Sequence, residues 1–130
     1  MTEQGNERHE FPIDSGALRL VFEYPTEWRG QDGYRTVRLL LSATEVFAAA
    51  LATMAAKDQH YGGAWREQGW RGNLARLMSK TARLRKMLWR QNVLSSTGEP
   101  VQDTIIDMIN LCAFMQLNRM EGNEWGPENG

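Results

Sequence analysis

Residues 74–91 read LARLMSKTARLRKMLWRQ, and the parsing of the whole chain turns on their spacing. On a helix at 100° per residue, with Leu74 at 0°, Leu77, Thr81, Leu84 and Leu88 fall within about 80° of one another. Arg76, Lys80, Arg83, Lys86 and Arg90 collect on the opposite side, over about 120° of arc. An apolar stripe of that width marks an amphipathic helix that other helices must cover, so the chain reads as mainly α. The cationic side has no acid in the same stretch to neutralise it. Arg76/Lys80 and Lys86/Arg90 are like-charge pairs four residues apart, which are unfavourable unless an anion relieves them. A phosphate, a nucleic acid or an acidic neighbouring helix would do so; the other outcome is a solvated face. Arg85 falls on the apolar side, where burial requires an acidic partner.

Downstream, Pro100 suits the first turn of a helix over about residues 101–120. Apolar residues from Val101 to Met115 surround most of that cylinder, Cys112 among them as an inert core residue. Its polar stripe is narrow: Asp103, Asp107 and Asn110, then Asn118 further on. Two aspartates four residues apart repel unless something positive sits between them. The candidates are Arg85, Lys57 or a divalent metal, and carboxylates at this spacing suit Mg²⁺ shared with a phosphate-bearing ligand. Otherwise the stripe is the exposed edge of an ordinary core helix.

Upstream, Ser42-Ala-Thr-Glu45 has the pattern of a capping box and predicts a first helix over about residues 43–58, rich in alanine. Residues 59–73 hold four glycines with Trp65 and Trp70 between them, which reads as a structured loop with a short helical turn near residues 64–68. Lys57, Tyr61 and Trp65 stand where the helix meets that loop. Their rings could stack on a base, or cap the core where helices meet. Residues 17–24 alternate as a strand, and residues 34–41 read as its returning partner, giving a β-hairpin ahead of the helices. The expected organisation is a flexible arm over 1–16, a single helical domain over 17–121 and a polar tail over 122–130.

A chain of 130 residues is long enough for one self-sufficient core. The formal charge of −1 conceals a split: residues 1–62 carry a net −3, residues 63–98 a net +7 and residues 99–130 a net −5. One cysteine excludes an intrachain disulfide framework and a Cys-based zinc site. The polar N-terminus does not read as a signal peptide, and the apolar run of residues 46–56 is short for a membrane span. The expectation is a reduced, soluble, cytoplasmic protein without a membrane partner. The alanine-rich first helix leaves an apolar face that a second subunit could complete, as a homo-oligomer.

Three blocks in order, Lys57-x-x-x-Tyr61-Gly62-x-x-Trp65, Leu77-x-x-Lys80-x-x-Arg83-Leu84 and Asp103-Thr104-x-x-Asp107-x-x-Asn110, resemble the nucleotide modification associated domain 1 family of bacteriophages and prophages. The resemblance covers about residues 45–118. It departs at His60, where the family carries an acid, and at Leu111, where it carries an aromatic. It implies a role in phage nucleotide or modified-DNA metabolism, in the cytoplasm of a bacterial host. A more distant likeness is to the all-α nucleoside-triphosphate pyrophosphatases of the MazG kind, which need Mg²⁺ and an E-x-x-E pair. The first helix here has only Glu45. The resemblance implies Mg²⁺ on Asp103 and Asp107 with Asp58, and phosphate on Lys80 and Arg83. Lys57 would neutralise charge, and Tyr61 or Trp65 would contact the base beside Asn110. The competing reading is a non-enzymatic accessory protein. It would bind nucleic acid through Arg76, Lys80, Arg83, Lys86 and Arg90, or a host protein.

Overall fold

The computed structural model describes residues 5–90 and 98–127, and the protein is mainly helical behind an N-terminal hairpin. Strand β1 (Asn6–Pro12) pairs antiparallel with β2 (Arg19–Pro25), in a register that sets Asn6 opposite Pro25 and Pro12 opposite Arg19. Helix α1 covers Tyr34–Tyr61, α2 Ala64–Arg85 and α3 Gly98–Met120. A π-type turn over Lys86–Arg90 follows α2. The chain divides into two compact units, Met1–Ala56 and Lys57–Gly130.

In the first unit the hairpin is real, but its strands differ from the expected pair. The segment expected as a flexible arm supplies β1, and residues 34–41 are the first turns of α1. Between the strands, the Asp14 carboxylate accepts the N–H groups of Gly16 and Leu18, at 2.9 and 3.1 Å, and so closes the connection. Tyr24 is buried, with the rings of His9, Phe22 and Tyr34 about it. No glycine or proline interrupts residues 34–61, so the helix runs through Ser42 and Glu45, which are interior residues and no capping box. Thr44 instead turns its hydroxyl back to the Leu40 carbonyl at 2.7 Å. The longer helix changes the hydropathy reading too. Its most apolar window has mean hydropathy 1.7 with 11% of it buried, long and apolar enough by composition to cross a membrane.

In the second unit α2 and α3 pack against each other along their length. Gly62 and Gly63, with φ of 42° and 75°, end α1, and α2 begins at once. The expected loop over 59–73 is therefore mostly helix, kinked at Gly69 (φ 68°, ψ 176°). A kink frees backbone groups that need other partners. Here they come from the segment after α3. The Trp70 and Arg71 N–H groups donate to the Asn123 and Glu124 carbonyls at 3.0 Å each. Asn123 Nδ2 donates to the Arg66 carbonyl at 2.7 Å, and Asn73 and Asn118 donate to the Trp65 carbonyl at 3.0 and 3.2 Å. The first part of the expected polar tail is thus part of the fold.

Helix α3 buries Val101, Ile106 and Leu111, as expected, and buries part of its polar stripe as well. Thr104, Asn110 and Asn118 are buried, whereas Ile105, Leu117 and Cys112 are exposed. For Asn118 the partner is on α2, whose Trp65 carbonyl accepts its amide N–H. Cys112 faces solvent instead of the core.

Candidate functional site

Lys57 stands near the end of α1, Lys80 in the C-terminal part of α2 and Asp107 near the middle of α3. The three meet. Lys57 Nζ donates to Asp107 Oδ1 at 2.9 Å, and Lys80 Nζ lies 3.1 Å from Asp107 Oδ2. Each carboxylate oxygen is therefore held by a different ammonium. Burial raises the Asp107 carboxyl, but the hydrogen bonds from Lys57 and Lys80 outweigh it and hold the group below its ordinary value. The cation expected beside Asp107 is thus a lysine pair that includes Lys57. Arg85 stays exposed, where its guanidinium needs no acid.

The remaining expected site residues spread away from this cluster. Asp58 accepts the Gly63 N–H at 3.0 Å and so caps the turn between α1 and α2. Asp103 is exposed one turn before Asp107, and Asn110 is buried one turn after it. The Trp65 ring stacks on Phe114 with centroids 5.9 Å apart, and the Arg66 guanidinium lies 5.0 Å over it. Those contacts make Trp65 a cap on the α2–α3 core. Arg76, Arg83 and Lys86 are exposed, and among the described residues none of them has an acidic partner. The side chains of Tyr61 and Arg90 lie outside the described residues.

Mg²⁺ on Asp58, Asp103 and Asp107 would need three converging oxygen donors. Among the described residues no group of three His, Cys, Asp or Glu side chains converges, and both Asp107 oxygens face ammonium groups. This arrangement does not fit the ion, and no chemical step is derived through it. The cluster does suit an anion. Each lysine has three N–H donors and spends one on Asp107, so two ammoniums and one carboxylate leave a net positive charge with donors in hand.

Asn73 and Arg71 escaped the sequence reading. Asn73 is fully buried, as is Asn118 of the expected polar stripe, and their shared acceptor, the Trp65 carbonyl, ties the start of α2 to the end of α3. Arg71 lies 4.4 Å from the Trp70 ring and 5.5 Å from the Trp125 ring, and pairs with Glu124. The sequence signal available was the run Asn123-Glu124-Trp125-Gly126, too rich in capping and turn chemistry for a free tail.

No family model matches the chain, and no curated protein or solved structure matches it.

Proposed function

We propose that this chain is a phage-type nucleotide-handling protein, in which Lys57 and Lys80 bind the phosphates of a nucleoside or deoxynucleoside phosphate within nucleotide or DNA-modification metabolism. The observation that supports this reading is the Lys57–Asp107–Lys80 cluster. Three blocks separate in sequence, each carrying part of the family resemblance, contribute one residue apiece to a single cationic site. Asp107 keeps the two ammoniums close, where alone they would repel each other. A phosphate then replaces water on their remaining donors, with Arg83 one turn from Lys80 as a further cation.

The test is thermal unfolding with canonical and modified deoxynucleoside triphosphates, with and without Mg²⁺. At saturating ligand the midpoint should rise by several degrees, following the ordinary linkage of binding to stability. Lys80→Ala should remove most of the rise. If no nucleotide stabilises the protein, the reading is wrong.

A second reading rests on the exposed Arg76, Arg83 and Lys86, which suit a nucleic-acid backbone. Binding of a DNA duplex should then weaken steeply with salt. Arg76→Glu should weaken it more than Asp103→Asn. Absent or salt-insensitive binding ends this reading.

A further inference from the structure

No acid interrupts the exposed side of α2 beyond its kink, and a tryptophan stands at each end of it. Trp89 lies on the π-type turn, four residues after Arg85, and is 83% exposed. Arg85 and Lys86 flank it, both exposed and, among the described residues, without an acidic partner. Arg83 follows at about 60° round the helix from Lys86. At the other end Trp125 is 71% exposed, and the Arg71 guanidinium lies 5.5 Å from its ring. Arg71 and Arg85 fall within about 40° of each other on a helical projection, so the two rings border one face. The helix rises about 27 Å from Arg71 to Trp89. Along that track the exposed side chains are Ala75, Met78 and Ala82, which are small or flexible.

We propose that this face binds single-stranded nucleic acid, with phosphates on Arg83, Arg85 and Lys86 and unpaired bases on Trp89 and Trp125. The inference rests on the second reading above, in which the cations of α2 contact a nucleic-acid backbone, and adds which form of nucleic acid they meet. Charge selects the polyanion: neighbouring cations with no acid to relieve them are complementary to a row of phosphates. The rings select the single strand. Bases in a duplex are stacked on one another and present only edges, whereas an unpaired base offers a flat face to an indole. Lipid is the other surface that attracts tryptophan beside basic residues. A helix lying on a membrane buries a continuous apolar face there, and in α2 that face is already used. Leu77 and Leu84 are half-buried on the side from which Lys80 reaches Asp107 of α3. Met78 and Trp89 are the exposed large apolar residues of α2 and its π-type turn among the described residues, too few and too far apart to seat a helix in lipid.

Fluorescence anisotropy at low salt tests it, with a labelled mixed-sequence DNA strand, free or annealed to its complement, and the intact protein. The free strand should bind more tightly than the duplex. Trp89→Ala should weaken binding of the free strand by about tenfold and leave the duplex and the far-UV dichroism unchanged. Trp89→Phe should restore much of the loss, and Trp125→Ala should act in the same direction as Trp89→Ala. Arg85→Glu with Lys86→Glu should weaken both forms. If the duplex binds at least as tightly as the free strand, this inference fails and the second reading stands. If neither form binds, both fail. A free-strand affinity indifferent to Trp89→Ala also overturns the inference. So does flotation of the wild type with phosphatidylglycerol vesicles that Trp89→Ala abolishes, because the ring then serves lipid.

Discussion

Asp107 holds two lysines with one carboxylate, and the sign of its titration follows from that. Because folding lowers its pKa, the stabilisation is complete above the unfolded-chain value of about 3.9 and disappears as the pH falls through the lower folded value. Asp107→Asn should therefore cost about 1 kcal/mol at neutral pH, as expected for partly exposed pairs. The cost should vanish in strong acid, where the wild-type carboxyl is itself protonated; urea unfolding at both pH values measures this. Asn118 makes a different kind of contribution. Its amide is fully buried, donates to the Trp65 carbonyl and accepts from Asn123. Asn118→Leu removes both bonds, leaving the Trp65 carbonyl to Asn73 and the Asn123 amide to the Arg66 carbonyl, and should cost about 1 kcal/mol at any pH. The two cases also differ in legibility. Lys57, Lys80 and Asp107 announce themselves by charge at helical spacing. The sequence does not tell whether an asparagine at the edge of a glycine-rich run is a loop residue or, like Asn73, a buried anchor.

Gly69 is the position on which α2 depends. A Cβ there would lie 2.4 Å from the Glu124 carbonyl oxygen, and one on Gly126 would lie 2.3 Å from the Glu67 carbonyl oxygen. Both glycines also have positive φ. Gly69→Ala and Gly126→Ala should each cost about 2 kcal/mol or more, since strain and a backbone clash coincide. Chemical denaturation measures the loss. Hydrogen exchange offers a local readout: the Trp70 and Arg71 amides should be protected in the wild type and exchange rapidly when residues 122–130 are removed. The helical halves of α2 and α3 were readable because their apolar periodicity runs for several turns. The kink was not, because a helix that borrows hydrogen-bond acceptors from residues more than fifty positions away leaves no local signature. Strand β1 was missed for a related reason. Its inward side is Glu7, His9 and Phe11, mostly polar, and only pairing with β2 makes it a strand. Residues 34–41 mislead in the opposite direction, since aromatic and β-branched residues there mimic a strand within a continuous helix.

Across the whole molecule the near-zero net charge resolves into pairs and a remainder. Arg66 pairs with Glu121, Arg71 with Glu124 and Lys80 with Asp107, so the acidic block neutralises part of the cationic one. Arg76, Arg83, Arg85 and Lys86 remain exposed and, among the described residues, have no acidic partner. The protein should therefore bind a heparin column at neutral pH despite its overall charge of −1. Arg76→Glu with Arg83→Glu should elute at distinctly lower salt. The clasp between Gly69 and Gly126 has a consequence in time as well as in space. A ribosome makes α2 long before it makes residues 123–126, at about 5–20 residues per second. Until those residues leave the exit tunnel, the freed amides at the kink can bond only to water. The kink in α2 is therefore completed by residues made some fifty positions later, and a nascent chain stalled before residue 123 should present α2 in two unjoined halves.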